Sequence, residues 1–549
     1  MSYLLLWAES LAVAILIVGI IAALAGRCKR QLWRQLWPVL AAVVQFLIVA
    51  AATVLAGILL VRNVRPDWLF IYLLALTIAY ILGTGLVLRR GFRSPNQEPA
   101  ARAWPRARLA VALGLVLAAW LVTLHLLDVN RQIELANVRT ETAAKALNIF
   151  PSRPLHHQNA APLYEMDGKT FGGWEKLPHW FHFGDVATFD PNTAEAKQFL
   201  QEKSDVLVLL RQAAARPAYY YHLDISNLLA TPIPSFPTFR GMSKLLVLEA
   251  QSKTLAGDTK AAMKNLAVIK RMAEHLRSIP LLISFLISGV VDHIGAQGLE
   301  YVLAHTSSLP QDLAPSHGGY TRSRREYFMD AFRMEGLINL QEFALIITSC
   351  EEAMSAFTFP MHHSFVFRTL LPLWRVYLTP SELSSLREKW NELVKIMAKP
   401  YYNYQRDLPA WEEAQKKEPG GVYTYLYFPP KYAIGFNSRA AWSEAIQGLV
   451  DLAFATTAYK EDHGGYPARF EDLVPAYIKQ IPTDPFDGKL LKMKAVEGGL
   501  CLFSIGLDSK KEPIDFYLGR AAYEKYRVKP AQHKRDKLER MRKKRKSKK

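Results

Sequence analysis

Hydrophobic residues gather into four long runs before residue 128 and into shorter, periodic stripes after it. The runs are Tyr3–Ala25, Val39–Val61, Trp68–Leu88 and Leu109–Leu127. Each approaches the roughly 20 residues with which a helix crosses about 30 Å of hydrocarbon. Gln45 is the strongly polar side chain of the second run, and the third and fourth hold no carboxylate, lysine or arginine. A surface helix of a soluble domain carries a polar stripe that these runs lack. The pattern therefore predicts four transmembrane helices over residues 1–128. Glu9 and His125 lie near the ends of the first and fourth runs. They read as snorkelling ends of structural helices rather than as a proton relay. A secretory signal peptide is the alternative for the first run. It has no basic leader and no clear small-x-small site before its basic loop, which predicts an uncleaved span.

The loops give the orientation. Arg27, Lys29, Arg30 and Arg34 follow the first run, and Arg89, Arg90, Arg93, Arg102, Arg106 and Arg108 separate the third from the fourth. The loop between the second and third holds only Arg62 and Arg65. Basic loops stay in the cytoplasm, so both termini and the large remainder of the chain are expected outside. Trp33, Trp37, Trp68 and Trp104 fall near the span ends, where amphipathic aromatics favour the interface.

After the fourth run, residues 129–191 read as a helical stalk and then a connector rich in proline and aromatic residues. His156, His157, His179, His182 and Asp185 lie there. Imidazoles beside a carboxylate suit a transition metal. A zincin pair would need two histidines one helical turn apart with a glutamate between them, so aromatic packing is the preferred reading. Residues 192–437 read as a mainly α exported domain. Ala194–Ala215 is expected as one helix ended by Arg216-Pro217. Gly241–Ala256 and Asp258–Leu276 form a hairpin around Gly257-Asp258, with stripes Leu245, Leu248, Leu255 and Met263, Leu266, Ile269, Met272 facing a shared core. That joint resembles a tetratricopeptide-like turn, but one unit does not make a solenoid. Leu281–Val291 is too short to span and is expected as a buried core helix stopped by Asp292-His293. Residues 322–415 read as helical. Within them Phe365–Tyr377 is amphipathic and suits either the lipid surface or the domain interior. Glu351/Glu352 and Glu412/Glu413 are adjacent, so on a helix they diverge. Neither a nucleophile elbow nor a phosphate-cradling glycine loop occurs.

Residues 438–520 carry an ordered series of motifs. Ser438 is expected to cap a helix with the stripe Trp442, Ala445/Ile446, Leu449 and Leu452/Ala453. The series continues through Tyr459-Lys460-Glu461-Asp462-His463-Gly464-Gly465-Tyr466-Pro467, Leu473-Val474-Pro475 and Asp484-Pro485-Phe486-Asp487-Gly488. Runs Lys489–Val496 and Leu500–Ser504, joined by Glu497-Gly498-Gly499, signal a hairpin, followed by Ser504-Ile505-Gly506-Leu507-Asp508. This order resembles the globular end of the type II secretion major pseudopilin. More loosely, the whole chain resembles multi-span bacterial membrane proteins with a helical exported domain. The resemblance implies a small α+β module and Ca²⁺ held by Asp508 and Asp515. The intervening Ser509-Lys510-Lys511-Glu512-Pro513 is short and carries two lysines, which predicts a degenerate site for an ion needing six to eight oxygens. Asp484 and Asp487 read as turn formers. The helix starts deep inside a multi-span chain, which argues against incorporation into a fibre.

Charge sharpens the picture at the two ends. Of 68 Lys+Arg and 49 Asp+Glu, giving +19, residues 1–128 supply +8 and residues 529–549 supply +10, leaving +1 for the long middle. Three cysteines exclude a disulfide framework or multi-cysteine zinc scaffold. The basic tail, residues 521–549, suits anionic lipid or an envelope polymer if outside, nucleic acid if the topology is inverted, or solvation alone. The sequence thus predicts a mainly α chain: four transmembrane helices, a helical exported domain and a small pseudopilin-like α+β module. As a function it suggests a scaffold or interaction protein of the bacterial inner membrane, with no evident catalytic residue. Its partners would be membrane lipid and other envelope proteins. The rival functions are an envelope hydrolase using the connector histidines and an accessory component of a type II secretion-like system.

Overall fold

Glycine at a helix end and aspartate at the next helix start fold the chain back on itself at residue 257. The computed structural model describes residues 132–133, 135–171, 177–222, 236–306, 322–348, 383–417, 430–507 and 513–546. The four apolar runs, Glu9 and His125 lie outside these residues, as do Phe365–Tyr377 and Glu351/Glu352. From Asn137 onward, the described residues belong to one unit, formed by Asn137–Glu352 and Leu383–Lys549.

That unit is mainly helical. Its helices are α1 (135–149), α2 (Ala161–Phe171), α3 (His179–Phe183), α4 (Ala194–Glu202), α5 (Ser204–Ala214), α6 (Phe236–Leu255), α7 (Thr259–Arg277), α8 (Leu282–His305), α9 (Arg324–Thr348), α10 (383–397), α11 (Tyr401–Lys417) and α12 (Pro430–His463). Three antiparallel strands follow, β1 (Lys492–Val496), β2 (Gly499–Ser504) and β3 (Ile514–Leu518), in the order β1-β2-β3. The chain ends in α13 (Arg520–Tyr523), a π-helical turn (Glu524–Val528) and α14 (Lys529–Lys546).

The α6–α7 hairpin turns at Gly257, with φ +80°, and the Asp258 side chain caps α7 by accepting from Ala261 N at 3.0 Å. Met263, Leu266, Ile269 and Met272 are buried together with Leu245 and Leu248. Leu255 is exposed, because it sits on the last turn of α6 beside the joint. α8 lies against both helices. At Gly298 a Cβ would meet Leu266 and Val247 methyls at 2.9 Å, so the missing side chain is what allows this close crossing.

Three sequence expectations need correction. Ala194–Ala215 is two helices, broken at Lys203, whose ammonium leaves the helical path to bond Phe171 O at 2.8 Å. α12 begins at Pro430, about two turns before Ser438, and the Ser438 hydroxyl bonds back to Gly435 O at 2.9 Å instead of capping. α8 does not stop at Asp292-His293 but continues to His305, because arginines from other helices hold the Asp292 carboxylate. α8 is also the one helix among the described residues long and apolar enough to cross a membrane. It is nevertheless a core helix, with Val291, Val302 and most of its other residues buried.

The hairpin forms as expected, with Val496 opposite Gly499 and Gly498 at φ +81°. Leu500, Leu502, Phe516 and Leu518 join Ile269, Leu449 and Leu452 in a single cluster. The segment 438–520 therefore shares its core with the preceding helices.

Replacing Gly298 with valine should destabilise the protein by about 1–3 kcal/mol through overpacking against Leu266 and Val247. The urea unfolding midpoint measures this, and an unchanged midpoint would show that the crossing is loose.

Candidate functional site

The first turns of α8 lie beside residues 435–442 of α12, and between them runs an apolar groove. Ile283, Leu286, Ile287 and Val290 follow helical spacing along α8, and Phe436, Arg439 and Trp442 do so along α12. Together with Phe285, Gly289 and Gly435 they line a cavity of about 560 Å³. Ile283 and Val290 remain 40% and 36% exposed. Phe285, by contrast, turns inward and packs on Phe328 with ring centroids 5.4 Å apart. The Trp442 indole lies against His293 at 4.7 Å between centroids.

A polar knot lies next to the groove. A Cβ added at Gly289 would meet the Ser443 side chain at 3.8 Å. Arg324 donates to the Ser443 hydroxyl at 2.6 Å, to its carbonyl at 3.0 Å, to Gln447 Oε1 at 2.6 Å and to Asp292 Oδ2 at 2.5 Å. Arg277 reaches the same Asp292 oxygen at 2.5 Å. All three charged side chains are buried. Two guanidiniums thus share one carboxylate, and the arrangement clamps α7, α8, α9 and α12 to one another.

Farther along α8, the buried Glu300 carboxylate accepts the Tyr517 backbone N–H at 2.7 Å and pairs with Arg527 at 2.9 Å. Burial pushes the Glu300 carboxyl up, and Arg527 and the Tyr517 N–H oppose that push.

Beside the connector histidines, a buried lysine holds the loop. The Lys244 ammonium is buried among the carbonyls of Phe181, His182 and Gly184 at 3.3, 3.1 and 2.7 Å. Burial lowers its pKa to about 8. Phe181 packs on Phe199 with centroids 4.7 Å apart, and the Asp185 side chain caps the turn at Ala187 N. His179 is exposed, while burial and the nearby Lys244 lower the proton affinity of His182. His156 and His157 form a short 3-10 turn whose carbonyls accept from Arg216. Among the described residues no three His, Cys, Asp or Glu side chains are placed to share a metal ion.

Asp508 lies outside the described residues. Asp515 is in β3 rather than in a loop, because Ile514, Phe516 and Leu518 give that segment a strand's alternation. Its Oδ2 accepts the Tyr517 hydroxyl at 3.0 Å, and its Oδ1 is buried with no partner among the described residues. Asp484 does more than form its turn. Its carboxylate accepts from Phe486 N, the Ser504 hydroxyl and Ile505 N at 3.0, 2.9 and 2.9 Å. It thereby ties the Asp-Pro-Phe-Asp-Gly turn to the end of β2. Asp487 accepts from Lys489 N and Lys492 and stays local.

Sequence reading missed the Asp292 and Glu300 pairings, the buried Lys244 and the groove. The available signal was two carboxylates eight positions apart in an otherwise apolar segment. No family model, curated protein or solved structure matches the chain.

Asp292→Asn should cost about 3–5 kcal/mol, because it leaves two buried guanidiniums without their counter-charge. A loss below about 1 kcal/mol in chemical denaturation would mean that the knot contributes little net stability. A pH dependence follows from the buried histidines. Burial, followed by the charge of Arg271, lowers His275 to about 3, and burial followed by Arg527 lowers His293 to about 4. The unfolded chain binds these protons near pH 6.5, so their stabilising contribution is present above that value and is lost as pH falls toward the folded values. Unfolding midpoints should therefore drop between about pH 7 and pH 5, before carboxylates of ordinary pKa titrate. A flat profile there would contradict the burial of His275.

Proposed function

We propose that this chain is a scaffold or interaction protein of a bacterial inner membrane. Four helices in residues 1–128 would anchor a mainly helical body on the outer side. The observation that carries the contact role is the open apolar groove between α8 and α12, since exposed contiguous apolar surface marks interaction sites. Loop arginines and lysines support the orientation, through Arg27–Arg34 and Arg89–Arg108. In this reading α14, with its long series of lysines and arginines, engages anionic lipid or an envelope polymer by charge alone. Nucleic acid becomes its partner only if the topology is reversed.

A role as an accessory component of a type II secretion-like system is a second reading. It draws on Asp484, which bonds two of the motifs that resemble the pseudopilin module, so that their order in sequence corresponds to a contact in space. A hydrolase centred on His179, His182 and Asp185 has no comparable support, because Lys244 and the aromatic cluster account for that loop.

Topology mapping tests the proposal. Alkaline phosphatase fused to the C-terminus should be active, and a green fluorescent protein fusion at the same place should stay dark. The opposite pair of outcomes would move the body into the cytoplasm and remove the envelope role.

A further inference from the structure

The groove has a chemistry more specific than apolar contact. Its walls are aliphatic and aromatic, and its volume of about 560 Å³ falls within the usual range of small-molecule sites, about 300–1,000 Å³. From Ile283 to Val290 the α8 wall runs for about 10 Å along the helix axis. The charged side chain in the lining is Arg439, which is exposed and has no hydrogen bond or ion pair with any other described residue. Beside the groove, Arg277 and Arg324 converge on the single carboxylate of Asp292. The neighbouring carboxylates are Glu444, paired with Arg325 at 3.0 Å, and Asp451, which accepts from Gln447. Within the lining, the exposed Arg439 supplies a positive group. Apolar walls with positive charge at the edge suit an aliphatic tail that carries an anion.

We propose that the groove binds one acyl chain of a single-chain anionic lipid, with its carboxylate or phosphate at Arg439 and its tail along Ile283, Ile287, Val290 and Phe436. The proposal rests on the membrane-anchored reading for its supply of lipid, but it concerns occupancy of the groove and not the side of the membrane. Trp442, one helical turn past Arg439 on the α12 wall, has an amphipathic ring suited to the boundary between tail and head. An apolar peptide would use the same walls but would gain nothing from the Arg439 charge, which is why the lipid is favoured.

The test uses the full chain in nanodiscs of zwitterionic phosphatidylcholine, with a palmitic acid analogue carrying a mid-chain diazirine as the probe. After illumination, peptide mass spectrometry should map adducts to residues 283–290 and 436–442. Palmitate should compete about threefold to fivefold better than cetyl alcohol, the worth of one exposed charge pair. Arg439→Glu should abolish that preference. Val290→Trp should remove the adducts while leaving the circular dichroism and thermal midpoint unchanged; if it unfolds the protein, Ile283→Trp serves in its place. Adducts confined to other segments would overturn the proposal, as would equal competition by acid and alcohol or adducts that persist in the folded tryptophan variant. So would protection of Ile283 and Val290 by a second copy in carbene footprinting without added fatty acid. None of these outcomes depends on which side the body occupies, so failure here and failure of the topology fusions are separate results.

Discussion

The unit is organised by two carboxylates buried on one apolar helix. α8 has the length and composition of a bilayer-crossing segment, yet it carries Asp292 and Glu300 in its buried faces. A buried carboxylate costs several kcal/mol unless a counter-charge and hydrogen bonds replace the lost water. The chain supplies these from distant places: Arg277 at the end of α7, Arg324 at the start of α9 and Arg527 in the π-helical turn before α14. Arginine suits the task because its planar fork reaches several acceptors at once. Arg324 does so most fully, bonding Asp292, Ser443 and Gln447. Each pairing therefore fixes the position of another element as well as neutralising a charge.

The same logic explains how the small sheet is attached. A sheet edge exposes backbone groups that can recruit other strands unless something covers them. At β3 the Glu300 carboxylate takes the Tyr517 N–H, and Arg527 donates to the Asp515 carbonyl, so an ion pair from outside the sheet occupies its edge. At the opposite edge, β1 presents Lys492 and Lys494, whose charges oppose stacking with another strand. Arg527 also fixes the point from which α14 leaves the body. The basic helix is thus mounted on the core helix through this salt bridge and through Val528 and Ala531, which pack on Tyr301 and Tyr523.

Local features of the body were legible in the sequence where short-range chemistry decides the outcome. Asp258 and Gly257 announced the α6–α7 joint, Glu497-Gly498-Gly499 announced the β1–β2 turn, and the stripe from Ala445 to Ala453 announced the buried face of α12. Lys203 was not legible as a helix break, because its bond to Phe171 O depends on a helix more than thirty positions away. The same holds for Ser438, which caps nothing once Pro430 has started the helix earlier, and for Asp292, a stop signal only if it stays unpaired. β3 was missed even though Ile514, Phe516 and Leu518 alternate, because the resemblance directed attention to Asp515 as a loop ligand. The groove could not be read from sequence, since it belongs to two helices separated by more than a hundred residues.

Hydropathy alone therefore does not say what an apolar helix is for. In lipid, an apolar helix satisfies its backbone internally but offers no partner to a buried charge. α8 contains two groups that lipid cannot satisfy, and the guanidiniums that satisfy them are within reach only in a folded body. What separates a core helix from a span of equal mean hydropathy is thus whether its rare charges have partners on other elements. Near its start, α8 carries no such charge and its apolar residues are incompletely covered, with Ile283 and Val290 still exposed. The groove is located there, where the helix keeps the apolar character of a lipid-facing segment and the body leaves part of it open.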